Sequence, residues 1–264
     1  MVIPTLTHFP VDPAFGTGIY RRRLRFAAWS GGVAAQVSDT HHGYWLDLRH
    51  NRHQITAIEA AFLRAPTYAC AGAAAGLEAL VGVPLDEPAQ DILTRLPAQA
   101  NCTHLGDLAL WAIAHIGRSA FWDIEIPDQS HHPVWITIAA DGRQIHRWQI
   151  LDHGITAPEH LSGRPLMRGF ARWAHAAFDG DALLAATMLQ RGIFVARGRQ
   201  HIVDRLPLTP LADAAGMEGM CWAYSGDRLT SAHGTIGYVR DFTDTIVMDE
   251  PPEAIARRFR EIES

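Results

Sequence analysis

Ile19-Tyr20-Arg21-Arg22-Arg23-Leu24-Arg25-Phe26 sets arginines opposite apolar side chains with a period of two, the pattern of a β-strand with one face turned inward. Ser30-Gly31-Gly32 turns the chain into Val33-Ala34-Ala35-Gln36-Val37. Two further alternating runs, 44–50 and 55–62, are joined by the polar turn Asn51-Arg52-His53-Gln54. This spacing predicts an antiparallel sheet of three or four strands. Beyond Arg64-Ala65-Pro66, the small-residue run 70–82 predicts a helix with Gly82 as its stop signal, and 86–94 reads as a polar connector. A second helix is expected over 105–117, capped by Thr103, with Leu105, Leu108, Ala109, Ala112, Ile113 and Ile116 as its buried stripe.

Alternation returns at Phe121. Strands are expected over 121–127, 134–138 and 144–150, the last two joined by an Asp141-Gly142 hairpin turn. Helical segments are expected over 168–178 and 181–190, and short strands over 192–199 and 237–241. The fold class is therefore α+β. An irregular lead-in occupies 1–19, an antiparallel sheet with two packed helices 20–119, and a second α+β lobe 120–264, with no repeat of solenoid period.

Composition narrows the function. The chain has 264 residues, 48% of them hydrophobic, enough for a sizeable core. A net charge of -5 with interspersed signs argues against nucleic acid as a partner and for a small-molecule substrate. All 23 basic residues are arginine, so neither a Schiff-base lysine nor a Walker-type loop is available. Gly16-Thr17-Gly18 lacks the third glycine of a dinucleotide fingerprint, and no nucleotide cofactor is expected. Without a signal-like start or a long apolar run, the expected location is the cytoplasm, with no membrane partner and a homodimer left open.

The richest chemistry lies in Ala100-Asn101-Cys102-Thr103-His104-Leu105-Gly106-Asp107-Leu108, where a thiol, an imidazole and a carboxylate meet at a helix entrance. A helix N-terminus favours thiolate over thiol, which makes Cys102 the leading candidate. His104 and His41 are candidate general acids or bases, and Asp107, one turn after His104, is placed to orient that imidazole. Arg64 and the Arg21–Arg23 group are candidates for a substrate carboxylate, with Tyr44 and Asn101 also expected to touch substrate. Cys221 has no acid or histidine beside it in sequence and reads as core.

Two resemblances rest on these residues. Tyr20-Arg21-Arg22-Arg23, Leu63-Arg64-Ala65-Pro66, Cys70-Ala71-Gly72-Ala73, Asn101-Cys102-Thr103-His104-Leu105 with Asp107, and the distal Cys221 with Arg240-Asp241-Phe242 together resemble a bacterial family known only as a domain of unknown function. Residues 42–118 are similar in their order of features to the iron-sulfur cluster assembly scaffold fold. In that comparison His42 replaces a loop cysteine, Cys70 and Cys102 keep theirs, and Asn101 replaces a histidine. The resemblance implies a His42, Cys70 and Cys102 ligand set for zinc or iron with one position open. The resulting expectation is a lyase or hydrolase acting on a small, partly apolar or aromatic substrate. Its alternatives are a non-enzymatic metal, iron-sulfur or sulfur carrier, and a metal-free enzyme using acid-base groups or a cysteine nucleophile.

Overall fold

The structure, a computed structural model, describes residues 9–129, 131–205 and 216–263. The alternating runs become β1 (Ile19–Trp29), β2 (Gly32–Asp39), β3 (Gly43–His50), β4 (Ile55–Arg64), β5 (Ala120–Pro127), β6 (Val134–Ala140) and β7 (Arg143–Leu151). A short β8 (Gly154–Ala157) follows, too brief to carry a readable alternation. All eight strands join one antiparallel sheet in the order β4-β3-β2-β1-β5-β6-β7-β8. The β6–β7 turn has φ of 48° at Asp141 and 78° at Gly142, the doubly left-handed geometry that suits the twist of a hairpin.

The sheet runs unbroken through position 119. β1 pairs with β5 in the centre, with Arg22 opposite Asp39 on one side and Ile124 on the other. Each half is a four-strand meander followed by helices, and the two meanders run outward in opposite directions from the β1–β5 seam. Sequence similarity between the halves is absent because the repeat is one of strand order alone.

The helices are α1 (Ala89–Thr94), α2 (Thr103–Ala114), α3 (Phe170–Ala177), α4 (Gly180–Ala196), α5 (Arg228–Ser231) and α6 (Glu253–Glu263). One face of the sheet is covered by α2 over β2 and β3 and by α4 over β5 to β7. Into this interface go Leu24, Phe26, Leu46, Leu48, Trp122 and Trp148, all fully buried. Burial of such side chains stabilises the fold by roughly 1.5–3 kcal/mol each. On the other face of the first half, α6 seals a smaller core of Ala27, Ala34, Trp45, Ile255 and Phe259. Arg25 stacks on the Phe259 ring at 4.0 Å and Arg258 on Trp29 at 4.1 Å, so even the charged face of β1 is partly roofed. Among the described residues no helix is long and apolar enough to cross a membrane.

Several local expectations change. The 70–82 run winds as a 3₁₀ helix, Tyr68–Leu80, capped by Thr67, because its small residues pack closely under neighbours: Gly72 under Trp222 and Gly76 against the Ala100 carbonyl. Cys102, not Thr103, occupies the N-cap of α2. The expected strand over 192–199 is instead the end of α4 and a following turn, since Ile193 and Val195 continue the buried face of that helix. Segment 237–241 is irregular and held by single hydrogen bonds, Gly237 N–H to Asp204 O and Arg240 N–H to Thr40 O. Residues 1–8 of the expected lead-in lie outside the described residues.

His115, just past α2, locks that helix to the seam. Its Nδ1 lies 2.6 Å from the Trp111 carbonyl, Trp122 Nε1–H donates to its Nε2 at 2.9 Å, and its ring stacks on Phe26 at 3.8 Å. This pattern requires the neutral ring, and burial brings its pKa down to about 4. The stabilisation is present above the unfolded value near 6.5 and is lost as pH falls toward 4, because the unfolded chain takes up the proton first. His115→Ala is expected to cost about 2–4 kcal/mol at pH 7 through a cavity and an unpaired Trp122 N–H. That cost is expected to shrink between pH 6.5 and 4 in urea titrations of both proteins.

Candidate functional site

The polar centre of the molecule gathers where β1, β2 and β3 end beneath α2. Even-numbered residues of β1 face the helices, so the period that buries Tyr20, Leu24 and Phe26 also buries Arg22. The same rule on β2 carries Val33, Ala35 and Val37 inward and ends on Asp39. Both ions are fully buried. Arg22 Nε lies 3.2 Å from Asp39 Oδ2, too poorly aligned for a hydrogen bond, while Arg22 Nη2 donates to Tyr44 Oη at 3.1 Å.

Asp39 also shapes the β2–β3 turn. Its Oδ1 accepts the backbone N–H of His41 at 2.7 Å and of His42 at 2.9 Å, and lies 3.2 Å from His42 Nδ1. Burial alone would raise the carboxyl's pKa. The neighbouring His42 and Arg22 outweigh it and hold Asp39 far below the usual carboxylate range. His42 is thereby oriented by an ionised carboxylate, and its ring comes within 4.6 Å of the His104 ring, centroid to centroid. Burial, reinforced by His42 and Arg22, keeps His104 neutral. Burial likewise pushes the Tyr20 hydroxyl well up, with Arg22 pulling the other way.

Around this pair, Arg22 Nη1 and His104 Nδ1 are buried and have no hydrogen-bond partner among the described residues. Polar groups so placed are ordinarily satisfied by water or a ligand. Tyr20 and Asp39 are the site residues that reading the sequence missed, and Arg22 stood there only as one of the Arg21–Arg23 group. Their signal was the period of two itself, since it puts Arg22 and Asp39 on the same face as Tyr20, Leu24 and Val37.

The other expected residues take different places. Arg64 does not face a substrate. Its Nε and Nη2 bind the Asp249 carboxylate at 3.2 and 3.1 Å, Nη1 donates to the Thr40 and Tyr238 carbonyls, and Nη2 donates to those of Asp39 and His42. Every guanidinium nitrogen is committed to the fold. Gly43 makes room for this clamp, because a Cβ there would lie 2.0 Å from Asp249 Oδ2. Of the arginine trio, Arg21 pairs with Glu125 and Arg23 with Asp123, so neither is a free substrate clamp. His41 points away from His104, with its Nε2 against Gly198 and its ring 6.2 Å from that of Tyr238, and burial drives its pKa down to about 3. Tyr44 spends its hydroxyl on Arg22. Asp107 turns from His104 to Arg191 of α4, which donates from Nη2 at 3.0 Å and also pairs through Nε.

The thiols also depart from expectation. Burial pushes Cys102 up to about 12, and the N–H groups of Leu105 and His104 at the helix start pull the other way without offsetting it. Desolvation therefore outweighs the helix terminus, and Cys102 is a thiol. Cys70 and Cys221 are raised by burial too, and Cys102 and Cys221 act on Cys70 closely enough that their charges would raise it further. All three cysteines of the chain thus gather under the hydrogen bond from Trp222 N–H to Asn101 O. Among the described residues no group of three or more His, Cys, Asp or Glu side chains is placed to hold a metal ion, the His42, Cys70 and Cys102 set included.

Residues 26–116 match the model of a family described as protein of unknown function (DUF2889). The match spans β2 to α2 and takes in Asp39, His42, Arg64, Cys102, His104 and Asp107. No curated protein and no solved structure matches the chain, and the likeness to the iron-sulfur scaffold fold gains no support from these comparisons.

Two measurements check this geometry. Alkylation of Cys102 by iodoacetamide at pH 8, followed by mass spectrometry, is expected to be at least tenfold slower in the native than in the urea-unfolded protein. Arg64→Ala removes a donor from Asp249 and from four carbonyls and leaves the Asp249 carboxylate without its cation, and is expected to destabilise the fold by about 3–5 kcal/mol in chemical denaturation.

Proposed function

We propose that the chain is an enzyme that works by acid-base chemistry, of the lyase or hydrolase class, on a small and partly apolar substrate. The observation that carries this reading is the buried Asp39–His42 pair facing His104. A carboxylate on Nδ1 fixes the His42 tautomer and leaves Nε2 to take or give a proton, the arrangement of a general base with its orienting acid. Asp39 favours the imidazolium that forms when His42 accepts the proton. The proton taken up by His42 is returned to the leaving group from the same ring, and His104, held neutral at ring-contact distance, is placed beside it as a hydrogen-bonding group.

Arg22 Nη1 supplies a donor beside the pair that the fold leaves unused. Fixed donors in a desolvated site stabilise an oxyanion as charge develops on it, an effect larger than the same donors have in water. Asp107 and Arg191 act at one remove, tying α2 to α4 and so fixing where His104 stands over the sheet.

The test is turnover. Purified protein incubated with a set of small aryl and alkyl carboxylic acids, their hydroxy acids and their esters is expected to convert at least one, read by mass spectrometry. His42→Ala and His104→Ala are each expected to lower the rate by roughly 10²–10⁴-fold, with the chelator-treated wild type unchanged. Conversion that survives His42→Ala, or that chelation abolishes, would sink the reading.

A further inference from the structure

A second site lies across the turn that follows α4. A cleft of about 140 Å³ opens between that turn and the ends of β5 and β7, with Phe15, Ile126, Ile150 and Ile193 among its walls. At a liquid share of about 30 Å³ per water, this is room for roughly five waters or one small organic molecule. Ile126, Ile150 and Ile193 are nearly fully buried, so the floor belongs to the core and is preformed.

The charged lining separates into groups already engaged, groups open to solvent and one that is neither. Asp128 accepts a two-pronged bond from Arg199 at 2.7 and 3.2 Å and also the N–H groups of Gly16 and Gly18. Gln129 donates to the Ile150 carbonyl at 3.3 Å, and Asp152 and His153 are exposed. Arg197 differs. It lines the cleft half-buried, and among the described residues its guanidinium meets no hydrogen-bond acceptor and no carboxylate; only burial acts on it. Between Arg197 and Arg199, Gly198 is pressed against His41, where a Cβ would lie 2.7 Å from Nε2.

We infer that this cleft binds a small carboxylate with an apolar body, the carboxylate on Arg197 and the hydrocarbon among Ile126, Ile150 and Ile193. A half-buried charge without a partner is costly, and a ligand that pairs with it recovers that cost on binding. One guanidinium beside the negative end of α4 suits a single charge better than the two of a phosphate monoester. The apolar walls require that the rest of the ligand be hydrocarbon, alkyl or aryl, and the volume holds it to a short chain or one ring. The site is independent of the Asp39–His42 reading, because it uses none of those residues.

Benzoate and hexanoate are the probes, with benzyl alcohol and hexanol as their uncharged counterparts. Titration of the full chain, followed by calorimetry and by the methyl signals of Ile126, Ile150 and Ile193, is expected to give millimolar or tighter binding of at least one carboxylate. The alcohols and the Arg197→Gln protein are expected to bind at least tenfold more weakly, Arg197→Lys less so, and His42→Ala as tightly as wild type. Arg197→Gln is also expected to melt no lower than wild type, since no internal bond is lost. Absence of carboxylate binding, equal binding by Arg197→Gln, or shifts that map to His104 in place of the isoleucines would each overturn the assignment.

Discussion

One desolvated carboxylate at the end of β2 organises the middle of this molecule. Asp39 is fully buried, and a bare carboxylate there would take up a proton. It stays ionised because Arg22 faces it across the β1–β2 ladder and His42 folds back on it. Arg64 contributes from behind, binding the carbonyls of Asp39 and His42 and so holding the turn in the shape that presents the carboxylate. Removing Arg22 would leave the Asp39 carboxylate buried with far less compensation.

The central placement of β1 follows from the same need. Paired with β2 on one side and β5 on the other, it is covered by helices from both halves of the chain. Only such a strand can hold an arginine wholly out of water. The Asp107–Arg191 pair completes the enclosure by joining α2 to α4 above the seam.

Much of the architecture was legible as period. Seven strands announced themselves by alternation, and α2 by its stripe from Leu105 to Ala112, because each has one face toward apolar neighbours and one toward polar ones. What escaped was decided by partners distant in sequence. Arg64 looked like a free cation beside Pro66, yet Asp249 claims it from 185 residues away. Cys102 sat where a helix terminus favours thiolate, but how deeply α2 would press it into the core is not encoded in the nine residues around it. His42 and His104 carry recognisable chemistry in the sequence, while Asp39, which orients His42, stands in no motif there. α6 was missed because its large apolar residues are few, Ile255, Phe259 and Ile262, and its placement depends on Arg25 of β1 stacking on Phe259 and on its own Arg258 stacking on Trp29.

The Arg64–Asp249 clamp also sets an order of events during synthesis. Arg64 lies in the first quarter of the chain and its carboxylate partner near the end, so the β2–β3 turn cannot close around its final charges until Asp249 has left the ribosome. Earlier than that, a nascent chain carrying the complete first meander holds Arg64 with carbonyls alone for company. The turn's own contacts join residues only two or three positions apart, while the cation behind it waits for a carboxylate 185 residues further on.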